Sequence, residues 1–174
     1  TELSTALAER FTSDTVERGL PEDSWGQVHQ WILWHREHGA APPVSEAIAE
    51  RALATFRAAP VRPSRLQRSV GEVFAELGLQ PREEVIGEET GCRVDLVVKS
   101  PDGAAVAVEV DGPSHFLVDG GAQKPTGATL LKRRQLSALG CWPRLVSVPY
   151  WEWDAMGGGD AAMRRQRQRT YLLE

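Results

Sequence analysis

Apolar residues recur at helical steps over two stretches of the first third of the chain. Trp25, Val28, Ile32 and His35 share one face, with Trp31 and Trp34 beside them. Val44, Ile48, Ala52 and Phe56 follow at steps of four. This period belongs to α-helices that bury one stripe. Ser24 and Gln27 have the spacing of a capping box. Gly39 is a stop signal, and Pro42-Pro43, Pro60 and Pro63 punctuate the chain. Residues 24–58 are therefore expected to form a helical hairpin with its aromatics in the core. Residues 1–20 hold only weak helical signal.

From residue 61 the pattern changes. Ser64 and Gln67 make a second capping-box spacing, and Leu66, Val70, Phe74 and Leu77 form one stripe, closed by Gly78 and Pro81. A short extended stretch follows near Glu83–Ile86. Cys92 to Lys99 and Ala104 to Asp111 are β-rich runs joined by the turn Ser100-Pro101-Asp102-Gly103, which predicts a β-hairpin. Gly112-Pro113 ends the second run, and a Gly-rich loop is expected through Gly120-Gly121 to Gly127. Thr129 is the expected cap of a helix reaching Leu139. A last strand is expected over Pro143 to Tyr150, with Val146 and Val148 alternating, then an aromatic loop Trp151-Glu152-Trp153-Asp154. Ala161 to Leu173 reads as a final helix. The order from residue 64 is helix, three strands, helix, strand, helix. A strand reached through a helix permits parallel pairing, so the fold class is α/β with a mixed sheet. The boundary falls near residue 60, with a helical segment over 1–60 and the α/β domain over 61–174.

Composition narrows the class. Hydrophobic residues make up 41% and charged residues 25%, which excludes wholesale disorder. Two distant cysteines, Cys92 and Cys141, rule out a disulfide scaffold and a CxxC-type zinc site, and fit a reducing compartment. No apolar run is long enough to span a membrane. The chain starts at Thr1 rather than Met, as expected of a processed or excised piece. Net charge is −4, but unevenly spread: residues 1–123 carry 11 basic and 20 acidic side chains, residues 124–170 carry 9 and 3. A polyanion would meet the C-terminal third first.

Strand alternation supplies the candidate chemistry. If the valine faces of both long strands enter the core, Asp95, Glu109 and Asp111 emerge together on the other face. Converging carboxylates need a cation, a proton or a basic partner. Lys132 lies on the inward side of its helix with Leu136 and Leu139, while Arg133 and Arg134 are expected to point elsewhere. His115 follows just past the strand end, and Glu72 is placed to approach the sheet from the first helix. A hard divalent ion, Mg²⁺ or Mn²⁺, held by Asp95 and Glu109 would activate water for phosphodiester hydrolysis, with Lys132 or His115 assisting. The alternative from spacing alone is a polar groove with no metal.

Three motifs in order carry a resemblance: Val106-Ala107-Val108-Glu109-Val110-Asp111-Gly112-Pro113-Ser114-His115-Phe116, Thr129-Leu130-Leu131-Lys132-Arg133-Arg134-Gln135-Leu136, and Val148-Pro149-Tyr150-Trp151-Glu152-Trp153. They resemble the RAP domain, named for RNA-binding proteins abundant in apicomplexans. The resemblance covers residues 63–174 well and 24–60 loosely. It implies a restriction-endonuclease-like PD-(D/E)XK fold with an αβββαβ core. It also implies a role in mitochondrial or chloroplast RNA processing, with protein partners in an RNA-processing or ribosome assembly. Carried over, Asp95 takes the place of that fold's first metal-binding aspartate and Glu109 of its second acid. The lysine usual two positions after that acid is here Asp111, a departure for which Lys132 is the expected substitute, with His115 assisting.

Phosphate contacts are expected from Lys132, Arg133, Arg134, Arg144, Arg164, Arg165, Arg167 and Arg169, and base stacking from Tyr150, Trp151 and Trp153. Four functions stay open at this point: an Mg²⁺-dependent endoribonuclease, a non-catalytic RNA-binding module, a protein-interaction module and a DNA-nicking enzyme.

Overall fold

A computed structural model describes residues 19–174 apart from Asp23, Pro43, Gly120 and Gly121. The weak helical signal of residues 1–18 lies outside the described residues. Helix α1 spans Ser24–Glu37 and α2 spans Glu46–Arg57. They pack as the expected hairpin, burying Trp25, Val28 and Ile32 against Ile48 and Ala52. Ser45 caps α2 by accepting the Ile48 N–H. Helix α1 opens at Ser24 itself, whose N–H is taken by the Pro21 carbonyl at 2.9 Å, so Ser24 is not the cap its spacing suggests.

Helix α3, Arg65–Glu76, is capped by Ser64, which accepts the Gln67 N–H at 3.0 Å. The reciprocal half of the capping box is not made. Gln67 instead donates through Nε2 to Glu84 at 2.7 Å and to the Asp95 carbonyl at 3.3 Å, tying the helix to the sheet. Strands β1 (Arg82–Ile86), β2 (Arg93–Lys99), β3 (Ala105–Asp111) and β6 (Arg144–Pro149) form one sheet in the order β1-β2-β3-β6. The first two pairings are antiparallel and β3–β6 is parallel, reached through helix α4, Gly127–Ala138.

Both sheet faces are covered. On the first, Leu96, Val98, Val108, Val110 and Val148 pack with Val70, Val73 and Phe74 of α3. On the second, Val97 and Ala107 pack with Leu136 of α4 and Leu33 of α1. Val94 departs from the expected alternation by joining this second cluster beside Cys92. The hairpin is thus seated on the second face, next to α4. Gln135 Nε2 donates to the Gln30 carbonyl at 3.0 Å, and Arg134 pairs with Glu37 at 2.7 Å.

Three local expectations are corrected. The stretch expected as a Gly-rich loop holds an antiparallel pair, β4 (Phe116–Asp119) with β5 (Ala122–Pro125). The cap of α4 is Thr126, which accepts the Thr129 N–H, so the helix starts earlier than Thr129. Trp151 to Asp154 is not a loop but part of a short helix, α5, Tyr150–Ala155. Val146 is 45% exposed although it alternates in register with buried Val148, because β6 is the sheet's edge. Helix α6, Ala161–Tyr171, closes the chain, with Tyr171 and Leu172 packed on the first-face core. Among the described residues no helix is long and apolar enough to cross a membrane.

Candidate functional site

Glu109 and Asp111 open on the sheet face that α4 and α1 cover, whereas the alternation of β2 breaks at Asp95, between Leu96 of the first-face core and Val94 of the second. The β2–β3 ladder runs only as far as Leu96 opposite Val108. Beyond it the Val110 N–H needs another acceptor, and Asp95 Oδ2 takes it at 2.7 Å. Burial pushes the Asp95 carboxyl above its usual range, and the Val110 bond works against that rise.

Glu109 is 3% exposed. Lys132 Nζ donates to its Oε2 at 2.6 Å, while Oε1 is buried with no protein partner. Burial raises its carboxyl to about 7. The Lys132 ammonium opposes that shift and the neighbouring Asp95 adds to it. Lysine on the apolar side of α4 is explained by this contact: its stem crosses the helix–sheet interface and its head meets a buried acid.

Asp111 is 1% exposed and fully engaged. Its Oδ1 meets His115 Nδ1 at 3.1 Å, and its Oδ2 accepts from Arg133 at 2.6 Å and Ser147 at 2.5 Å. Burial favours the protonated form, but His115, Ser147 and Arg133 outweigh it and hold the carboxyl down at about 2. Asp111 accordingly serves to position His115 and Arg133 rather than to offer a free carboxylate. The same contact raises the His115 imidazole above its ordinary range. Thr129 Oγ1 lies 3.3 Å from His115 Nδ1 and bonds the His115 carbonyl at 3.2 Å, fixing the residue against α4. The expectation that Arg133 points away is overturned, since the Asp111 carboxylate draws its guanidinium into the site.

Glu109, Asp111, His115, Thr129, Lys132 and Arg133 line a pocket of about 360 Å³ between the sheet and α4, whose lining does not include Asp95. Its far wall comes from the hairpin, through Gln30 and Phe56. Sequence reasoning missed that wall because no local pattern tells where a hairpin docks. Arg93 also lines the pocket and is anchored by the Arg57 carbonyl at 2.9 Å. The cationic heads stay accessible: the side chains of His115, Lys132 and Arg133 are 39%, 33% and 29% exposed. The acids beneath are shielded.

Among the described residues no group of three His, Cys, Asp or Glu side chains is placed to hold a metal. Mg²⁺ often takes only one or two carboxylates and completes its shell with water. Asp95 with the orphaned Glu109 Oε1 is a donor set of that kind, and the missing partner is the observation that fits an ion.

The remaining expected contacts do not gather there. Arg134 is bound to Glu37 of α1, and Arg144 pairs with Asp102 at 3.0 Å on the surface. Arg164, Arg165, Arg167 and Arg169 ride on α6, across the sheet from the pocket. Arg165 pairs with Glu76 at 3.0 Å and Glu72 at 3.5 Å, and Glu72 faces outward from α3 rather than toward the sheet. Arg167 donates to the carbonyls of Met156 and Gly158, and Arg169 to that of Glu76 at 3.5 Å. Arg164 is exposed at the edge of a cleft of about 540 Å³ between α3 and α6. Trp153 is 4% exposed in the first-face core with Nε1 donating to Ser69, so it offers no face to a base. Trp151 and Tyr150 are half-buried, and Trp151 meets Phe116 edge-on with centroids 4.4 Å apart.

The family model of the RAP domain matches residues 108–172. The match takes in Glu109, Asp111, His115 and Lys132, while Asp95 precedes it. A chloroplastic RAP domain-containing protein of rice, Oryza sativa subsp. japonica, is 36% identical over 95 residues. That alignment covers 55% of this chain and 13% of the rice protein, so the chain spans a small part of its relative.

Proposed function

We propose that this chain is the RNA-binding RAP domain of an organellar RNA-processing protein, and that its pocket seats a phosphodiester of the RNA. The observation that carries the reading is the pairing of layers in the pocket: three accessible cations, His115, Lys132 and Arg133, held in place by two buried acids, Glu109 and Asp111. Cations fixed by buried acids keep their geometry without a ligand, so binding a phosphate costs little side-chain entropy. The RAP match and the chloroplastic relative support RNA as the polyanion and an organelle, with the chloroplast favoured, as the setting. Any protein partners belong to the longer protein of which this would be one part. The test is equilibrium binding of short single-stranded RNA at several salt concentrations, against DNA of the same sequence. Affinity that ignores salt, or a preference for DNA, would overturn the reading.

A second reading, Mg²⁺-dependent endoribonuclease activity, is favoured by one specific feature, the unpartnered Glu109 Oε1. Asp95 and Glu109 would hold the ion, which would lower the pKa of a bound water and offset phosphate charge. In this reading the helix-borne Lys132 does what a strand lysine does in the endonuclease-like fold, and His115, kept protonatable by Asp111, stands at the pocket rim as a proton donor. Cleavage supported by Mg²⁺ or Mn²⁺, stopped by chelator and lost in Asp95→Asn and Glu109→Gln with RNA binding retained, would establish it. Binding without turnover in every metal leaves the first reading and removes the second.

A further inference from the structure

Beside the phosphate pocket, with Arg133 as a shared wall, lies a smaller recess of about 280 Å³. It is bounded by the β4–β5 hairpin on one side and the start of α5 on the other, with Phe116, Pro149 and Trp151 as its apolar walls. Two buried polar atoms of residues that line it have no protein partner: the acceptor Gln123 Oε1 and the donor Arg133 Nε. Buried polar groups in native proteins find a partner almost always, so an unmatched acceptor and donor on two side chains that line one recess mark those side chains as the ones a ligand there would draw toward it. An aromatic wall with one acceptor and one donor is what the edge and face of a nucleobase require. The volume admits one planar ring system and falls below the roughly 300–1,000 Å³ of pockets that enclose whole ligands.

We infer that this recess is a base subsite for RNA: an unpaired nucleobase lies against the Trp151 indole and its edge meets Gln123 and Arg133, while the adjoining phosphodiester sits in the pocket of Lys132 and His115. The inference rests on the RNA reading above and sharpens it, because a paired base cannot enter the recess. The substrate is then single-stranded, or locally unpaired, at the nucleotide next to the bound phosphate. Arg133 links the two subsites. Its Nη2 is occupied by Asp111 and Ser147, while its Nε is buried without a partner and would meet the base once the guanidinium shifts toward it.

The test uses the full chain and fluorescence anisotropy with an end-labelled unstructured oligoribonucleotide, its full duplex, and versions with one abasic residue placed at each position in turn. One abasic position should weaken binding to the wild type by roughly 5- to 100-fold, the effect of one base stacked on an aromatic side chain. Trp151→Ala should show the same loss and no longer respond to that abasic residue. Trp151→Phe should retain most of the affinity, which separates stacking from misfolding. Gln123→Met should reduce the preference among the four bases at that position. A flat abasic scan on the wild type, full affinity in Trp151→Ala, or a duplex that binds as tightly as the strand would overturn the subsite while leaving RNA binding intact. A wild type that binds no RNA even at low salt would overturn the functional proposal, and the subsite with it.

Discussion

Lys132 Nζ stands 2.6 Å from Glu109 Oε2, joining helix α4 to the centre of the sheet through a pair whose acid is 3% exposed and whose base is one-third exposed. The acid cannot move to water, whereas the base can reach both the acid and the pocket. Such an arrangement behaves differently according to which partner is removed.

Lys132→Met leaves Glu109 buried beside Asp95 with no counter-charge. The expected cost is roughly 1–3 kcal/mol at pH 8, that of a buried acceptor stripped of its partner. The cost should shrink at pH 5, where Glu109 already carries a proton. Adding Glu109→Gln should restore most of the loss at pH 8. Urea unfolding of the single and double variants at both pH values measures this coupling, and equal losses at both pH values would contradict it.

The pH profile of the wild type follows from the same residue. Glu109 titrates near 4.5 when unfolded and about 7 when folded, so the native state holds the extra proton between those values. Stability from this group is full below pH 4.5 and lost as pH rises through about 7, a change on the order of 3 kcal/mol for the shift described. His115 contributes in the same direction, since its raised imidazole also favours the native state only while protonated. Glu109→Gln should therefore flatten the decline between pH 5 and pH 8 in thermal unfolding, and an unchanged slope would count against a protonated Glu109.

RNA binding should be one-sided for a short strand. Loss of one phosphate contact lowers the slope of log affinity against log salt by about 0.7 for single strands. Lys132→Gln should show that drop, and Arg164→Gln on the opposite side of the sheet should not. The reverse result would place the RNA on the α6 surface instead.

Docking of the hairpin depends on Gly91. Its φ is +68°, and a Cβ added there would come within 2.5 Å of Leu53 Cδ1 on α2. Gly91→Ala combines a disfavoured backbone with that clash, so it should cost more than the roughly 1 kcal/mol of the backbone effect alone. It should also open the Gln30 and Phe56 wall of the pocket. Thermal unfolding and hydrogen exchange in α1 and α2 would show both effects, and unaltered protection of α1 would argue that the hairpin is held by other contacts.

Much of this fold was legible in the residues alone. Val70 and Phe74, the alternation of Val106 to Asp111, and the Ser100–Gly103 turn act within a few residues, so local period and turn chemistry identify α3, β3 and the β2–β3 hairpin. Alternation also places Glu109 and Asp111 on one face, but not Asp95, where the alternation of β2 breaks. The β4–β5 pair was not legible, because its strands are short and flank two glycines, nor was α5, whose Tyr-Trp-Glu-Trp run lacks an apolar stripe at helical spacing.

The sequence by itself determined the helix–strand order, the shared face of Glu109 and Asp111 and the inward side of Lys132, since each depends on chain geometry over one or two turns. Tertiary structure alone decided which acid each cation meets, that Arg133 turns in to Asp111, and that Trp153 is sealed in the core. It also decided that the α6 arginines lie across the sheet from the pocket. Those outcomes depend on which faces of distant elements come together, and long-range packing and burial set that rather than any spacing along the chain.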